Sequence, residues 1–220
     1  MSGLKLNTAP ATIPVTVAEL RNYAKIDDSI DATLLSDLIY AATDWVEEFT
    51  NRALINRSYS LFLDGVTEVD TPLREGIYTG PFSVYYNNKI NLPRPPLSSV
   101  TVIYYYNDDD TQNTWASSNY YVDSVREPAS IVLRDSGTWP TGLRNANGIE
   151  VQFVAGYGTA TTDVPQAIRS AILQLALHLY ENRGDSNAIV NQPRIINTLL
   201  SPYVVKRYGV SIFEANAGWV

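Results

Sequence analysis

Leu34, Leu38, Ala42, Trp45 and Phe49 recur at three- and four-residue intervals, the spacing of one face of an α-helix. Leu35, Ile39 and Val46 widen the stripe, while Asp37, Asp44, Glu47 and Glu48 fall on the other, exposed side. The pattern predicts an amphipathic helix of roughly five turns, ended by Asn51 and Arg52, whose apolar face must pack on another element. Asp31 is placed to cap it. A shorter helix from Val17 to about Lys25 precedes it. Thr16 and Glu19 open that helix as a capping box, hydroxyl to backbone and carboxylate back to backbone. Asp27-Asp28-Ser29 breaks it, so the first 50 residues read as helical.

From Ser58 to Tyr157 the period falls to two. Tyr59, Leu61 and Leu63 alternate with Ser58, Ser60 and Phe62; Ile90 and Leu92 alternate before Pro93. Val100, Val102, Tyr104 and Tyr106 alternate with Thr101, Ile103 and Tyr105, ahead of a polar turn at Asn107-Asp108-Asp109-Asp110. Tyr120 to Val122, Ile131 to Leu133, and Val151, Phe153 and Ala155 supply further strands. Gly65, Gly76, Gly80, Pro81, Gly137, Pro140 and Gly148 punctuate them, as turns between short strands require. A compact sandwich or barrel-like antiparallel unit is expected.

Helical spacing returns after Gly156-Tyr157-Gly158. Asp163 is the expected N-cap and Pro165 suits the first turn, where its missing N–H would be unpaired anyway. Ile168, Ala171, Ile172, Leu175, Ala176 and Leu179 form the second stripe, with Gly184 at the position of a C′ glycine. Pro193 opens a last short helix through Leu200, stopped by Pro202. The two long helices each bury one face, and they satisfy each other if the β unit is an insertion between them. The expected fold class is therefore α+β: a helical bundle formed by the N- and C-terminal segments, 1–55 and 158–207, with an inserted small antiparallel β domain, 56–157, and a C-terminal arm, 208–220.

Composition removes several function classes. The chain of 220 residues is 45% hydrophobic, enough for a core, and has no cysteine, which excludes disulfides and thiolate metal sites. Its formal charge is −7, and its 16 basic residues are scattered, with Lys206-Arg207 the longest adjacent pair. Gripping DNA phosphates needs clustered cations, so non-specific DNA binding is not expected. An acidic wall past which DNA slides is compatible with this balance. No signal peptide or membrane-length apolar run is visible, which predicts a soluble protein made in the cytoplasm. The 15 tyrosines fit a β region and, with their rigid faces and polar tips, contact surfaces.

Catalytic constellations do not assemble from the residue types present. His178 is the single histidine, set in an apolar helix between Leu177 and Leu179, and reads as structural. No nucleophile elbow, Walker A loop or Gly-x-Gly-x-x-Gly occurs. Gly156-Tyr157-Gly158 reads as a strand-to-helix turn, Asp108-Asp109-Asp110 as a solvated hairpin tip, and Glu47-Glu48 as an exposed helix face. No enzyme activity, cofactor or metal is expected. Pro93-Arg94-Pro95-Pro96 reads as a stiff connector that presents Arg94 to a partner or neighbouring subunit. The tail from Tyr203 to Val220 is apolar for a chain end, and such an end docks on its own domain or on another chain.

The order of these features resembles the head–tail connector (adaptor) proteins of long-tailed phages and related prophages. The resemblance rests on the stretches Pro14–Leu20, Val46–Ile55, Leu92–Val100, Val154–Gly158, Val164–Arg169, Leu179–Arg183 and Leu199–Tyr203, which together run from residue 14 to 203 in the family's order. It implies a ring, usually of twelve subunits, seated beneath the portal protein in the virion. Double-stranded DNA would pass through its channel without specific binding, and a neck or tail-completion protein would dock on it. It further implies that the C-terminal segment contributes to portal docking, which places Tyr208, Ile212, Phe213 and Trp219, with Arg94, at the partner-binding surface. Two other expectations remain open: a tail-completion or neck protein lower in the same assembly, and a carbohydrate- or host-binding β module using Trp115, Tyr120 and Tyr121 as stacking platforms.

Overall fold

The Thr16 capping box closes as its residues predict: the Glu19 N–H donates to the Thr16 hydroxyl at 3.2 Å and the Thr16 N–H to the Glu19 carboxylate at 2.8 Å. It opens α1 (Val17–Ala24), which ends on Lys25 in the left-handed conformation. The computed structural model describes residues 2–26, 32–65, 89–183 and 193–205. Within them the fold is α+β, with four helices and antiparallel sheets. The expected cap at Asp31 and the C′ glycine at Gly184 lie outside the described residues.

α2 (Ala32–Thr50) buries Leu35, Ile39 and Val46, the shoulder of the predicted stripe, and of its Leu34–Phe49 axis only Ala42. Phe49 stays exposed and stacks on Trp45 at 4.9 Å between ring centroids. Glu47, expected on the solvated face, is only 6% exposed. α3 (Gln166–Glu181) buries Ile168, Ala171, Ile172, Leu175 and Ala176, as its spacing predicts. α4 (Arg194–Leu200) adds Ile196 and Leu200, and residues of all four helices share one apolar cluster. Asp163 does not cap α3. It closes a short 3-10 turn, Thr161–Asp163, by accepting the Ala160 N–H at 2.9 Å, because Pro165 has no N–H and holds the chain extended before the helix starts.

The larger sheet has the order β1 (Ser2–Thr8), β2 (Arg57–Leu63), β8 (Ile149–Ala155), β4 (Leu97–Tyr106), β5 (Gln112–Thr114). The smaller has β3 (Lys89–Asn91), β7 (Ser130–Leu133), β6 (Tyr120–Asp123). Both contribute to a second cluster, with Tyr59, Leu61, Ile103, Val151 and Phe153 from one sheet and Ile90 and Ile131 from the other. Each such fully buried aliphatic side chain contributes on the order of 2 kcal/mol. The chain passes from one core to the other at Ala53-Leu54, whose side chains belong to different clusters.

Two strands depart from the simple alternation. β1 lies within the stretch read as helical, yet it pairs with β2 at the sheet edge, Leu4 opposite Leu61 and Leu6 opposite Tyr59. In β4 the register shifts between Val100 and Val102, so the inward face passes from Val100 to Ile103 and Tyr105. One extra residue at such a bulge exchanges the two faces of every residue beyond it.

Candidate assembly interface

The last turn of α2 is where distant parts of the chain meet. Asn51, at φ 56°, turns the chain out of the helix and directs Arg52 inward, where it is buried. Arg52 Nε donates to the Tyr203 carbonyl at 2.6 Å and Nη2 to the Glu127 carboxylate at 2.5 Å, with the guanidinium 6.0 Å from the Tyr157 ring centroid. The Val205 N–H donates to the Thr50 carbonyl at 3.0 Å. Burial alone would lower the Arg52 pKa, but the Glu127 carboxylate and the Tyr157 phenol outweigh it and hold the guanidinium firmly charged. Burial pushes the Tyr157 hydroxyl up. This guanidinium thus fastens the segment after α4 to the end of α2 and to the β6–β7 turn.

One turn earlier, Glu47 Oε1 accepts the Leu54 N–H at 3.0 Å and Arg57 Nη2 at 2.5 Å. Burial raises the Glu47 pKa against the opposing pull of Arg57. Helical periodicity does not predict this burial, because the cation and amide that receive the carboxylate follow the helix end and fold back over it. Arg94 reaches the same place from the β3–β4 connector. Its Nη1 donates to the Glu47 carbonyl at 3.1 Å and its Nη2 to the Glu48 carboxylate at 2.6 Å. Arg94 is therefore held against α2, with its remaining surface on an open cleft of about 330 Å³. Leu4 and Leu6 of β1 form the cleft's apolar wall, and Asp44, Glu47, Glu48, Arg57, Tyr59 and Arg94 complete it. The other four sequence-expected contact residues, Tyr208, Ile212, Phe213 and Trp219, lie outside the described residues.

The outer face of the larger sheet carries a polar network that the sequence analysis does not single out. Glu150 is buried; its Oε1 accepts from Ser60 Oγ at 2.7 Å and Gln152 Nε2 at 2.8 Å, and its Oε2 from the Tyr106 hydroxyl at 2.8 Å. Asn7 extends the chain of donors from β1 into Ser60 at 2.8 Å, and Gln112 extends it from β5 into Tyr106 at 3.0 Å. All five strands are thereby joined through one carboxylate. Burial works to raise the Glu150 pKa, but these donors prevail and hold it below the usual range. The polar alternation along β2 and β8 was the available signal.

Gly156-Tyr157-Gly158 forms the strand-to-helix turn. Gly156 has φ 143°, and a Cβ there would stand 2.5 Å from the Asn56 nitrogen, so only glycine fits. Trp115 is 5% exposed, stacked on Tyr120 at 4.9 Å and Trp139 at 4.8 Å, so of the three expected sugar platforms Tyr121 is the exposed one. His178 lies on α3 with Nδ1 3.1 Å from Asn182 Nδ2. Among the described residues no three His, Asp or Glu side chains gather as a metal site, and no helix is long and apolar enough to cross a membrane.

The fold recurs in solved gene transfer agent (GTA) particles. A chain from the neck of an empty GTA particle computed with C6 symmetry superposes with a TM-score of 0.74 at 20% identity, over 95% of this chain and 98% of that one. A chain from the virion of a native gene transfer agent (GTA) particle gives 0.72 at 20% identity, over 94% and 98%. A chain from the neck of a native GTA particle computed with C12 symmetry gives 0.66 at 22% identity, again over 94% and 98%. At these identities the likeness establishes a common fold. No family model and no curated protein matches the chain.

Proposed function

We propose that this protein is a structural head–tail connector of a tailed phage or phage-like particle, and not an enzyme. The observation that carries the reading is the shared fold across nearly the full length of both chains with a neck component, two of the three assemblies named above having been computed with six- or twelvefold symmetry. In this reading the helices of 1–55 and 158–207 form a bundle that carries the β unit, with residues 2–8 lent to its edge strand. Subunits close into a ring, usually of twelve in the family it resembles, beneath the portal protein. The ring extends the DNA channel and offers its far side to a neck or tail-completion protein.

The mechanism needs no bond chemistry. Heterologous contacts repeated around a closed ring turn a weak contact into a strong one. Arg52 sets where the C-terminal segment departs, and Arg94, Tyr208, Ile212, Phe213 and Trp219 contribute to contacts with the portal or the neighbouring subunit. An acidic subunit lets DNA pass without holding it. Gold-labelled antibody against the protein on intact particles tests the assignment. Label confined to the head–tail junction is expected; label at the tail tip would contradict it and favour host recognition.

A further inference from the structure

Among the described residues β1 is an edge of the larger sheet, and Leu4 and Leu6 on its inner side are 41% and 45% exposed beside the cleft. An edge strand with exposed aliphatic residues beside it is a template for another strand. Its two sides differ. Leu4 and Leu6 continue the apolar face of Tyr59 and Leu61, while Lys5 and Asn7 continue the polar face of Ser60 and Glu150. A strand that fits here must therefore be apolar on one side and small or polar on the other.

The chain itself contains such a segment. In Tyr208-Gly209-Val210-Ser211-Ile212, Tyr208, Val210 and Ile212 alternate with Gly209 and Ser211. It belongs to the fifteen residues, 206–220, that follow Val205. Val205 is bonded to Thr50, one helical turn beyond Glu47 and Glu48 in the cleft wall. Residues 206–208 span about 10 Å when extended, enough to cross that turn. The segment is thus tethered close to the edge, at an effective concentration no separate molecule matches. Lys206-Arg207 would pass the acidic Asp44 and Glu48 on the way. The opposite edge, β5, is three residues long and polar, and offers no apolar side.

We propose that the β1 edge and its cleft are the docking site for the chain's own residues 208–212, which add as a further strand in the free subunit and cover Leu4 and Leu6. The contact keeps the apolar end of the chain from associating until a partner offers it a better seat. It is independent of the connector reading, since it concerns the isolated subunit.

The test uses the full chain, which has no cysteine. Lys5→Cys is combined in turn with Gly209→Cys, Ser211→Cys and Phe213→Cys, three outer-side positions that sample the register. One pair is expected to close a disulfide within the monomer under mild oxidation, read as a faster band on non-reducing gels. Hydrogen exchange of the β1 amides that point away from β2 is expected to quicken about tenfold in Val210→Asp/Ile212→Asp. Disulfides that form only between molecules would overturn the assignment in favour of a second copy. No disulfide, with β1 exchange unchanged in the double Asp variant, would overturn it outright.

Discussion

Arg52 Nε donates to the carbonyl of Tyr203 at 2.6 Å across 151 positions of sequence, and this bond fixes the segment after α4 to the end of α2. A buried guanidinium with a carboxylate, a carbonyl and an aromatic ring around it has no simple replacement. Arg52→Ala is expected to lower unfolding free energy by about 2–3 kcal/mol in urea titrations, since hydrogen bonds to charged groups contribute roughly 1.5–3 kcal/mol. Arg52→Lys should recover less than half of that, because an ammonium cannot serve both acceptors with a planar fork. Equal stability of wild type and Arg52→Ala would remove this residue from the account.

Glu47 and Glu19 impose opposite pH dependences. Glu47 has a raised pKa in the folded protein because burial disfavours its charge. Its contribution to stability is present below the ordinary value of 4.5 and is lost as pH rises through the raised folded value. Glu19 has a lowered pKa: partial burial opposes ionisation, but the Thr16 N–H and hydroxyl and the Arg169 guanidinium prevail. Its contribution is present above 4.5 and is lost as pH falls through the lowered value. Urea titrations stepped across acid pH should therefore show Glu47→Gln removing a falling component from the wild-type stability curve and Glu19→Gln removing a rising one. The same slope change in both variants would contradict the assignment.

Glu150→Ala removes the acceptor shared by Ser60, Gln152 and Tyr106. A loss of about 2–3 kcal/mol is expected from the donors left unpaired. The effect should spread to the edge, with faster hydrogen exchange in β1, because Asn7 joins the network through Ser60. Unchanged exchange in β1 would mean that the network does not hold the edge strand.

Gly156→Ala places a methyl group into the backbone of residues 55–56 at a φ that L-residues rarely adopt. A loss of roughly 2–4 kcal/mol is expected in the same urea titration. Gly142→Ala is the control, since its φ of 66° is also positive but no atom lies within 4 Å of a Cβ there. Its loss should be smaller. If the two variants lose equally, the close approach at Gly156 contributes nothing beyond backbone conformation.

Local features were readable and distant ones were not. The Thr16–Glu19 box and the Ile168–Ala176 stripe are decided within a few residues, so their patterns carry over directly. Glu47 was read as exposed because its burial depends on Arg57 folding back over the helix end, which no helical period encodes. The inward parity of β4 turned on a bulge at Val100–Val102, and one inserted residue leaves no signal in composition. β1 escaped notice because Leu4 and Leu6 make only two apolar steps and remain half exposed. Arg94 was correctly placed on the connector before β4, but its bonds to Glu47 and Glu48 bind it to its own subunit before any partner arrives.

The proposed connector must seat on a portal. The most direct measurement mixes the purified protein with the portal ring of the same particle and images the mixture by electron microscopy, beside a variant truncated after Tyr203. An added ring of density beneath the portal is expected with the full chain, and its loss on truncation. Portal rings that carry no added density with either form would contradict the connector reading and point to a position lower in the neck.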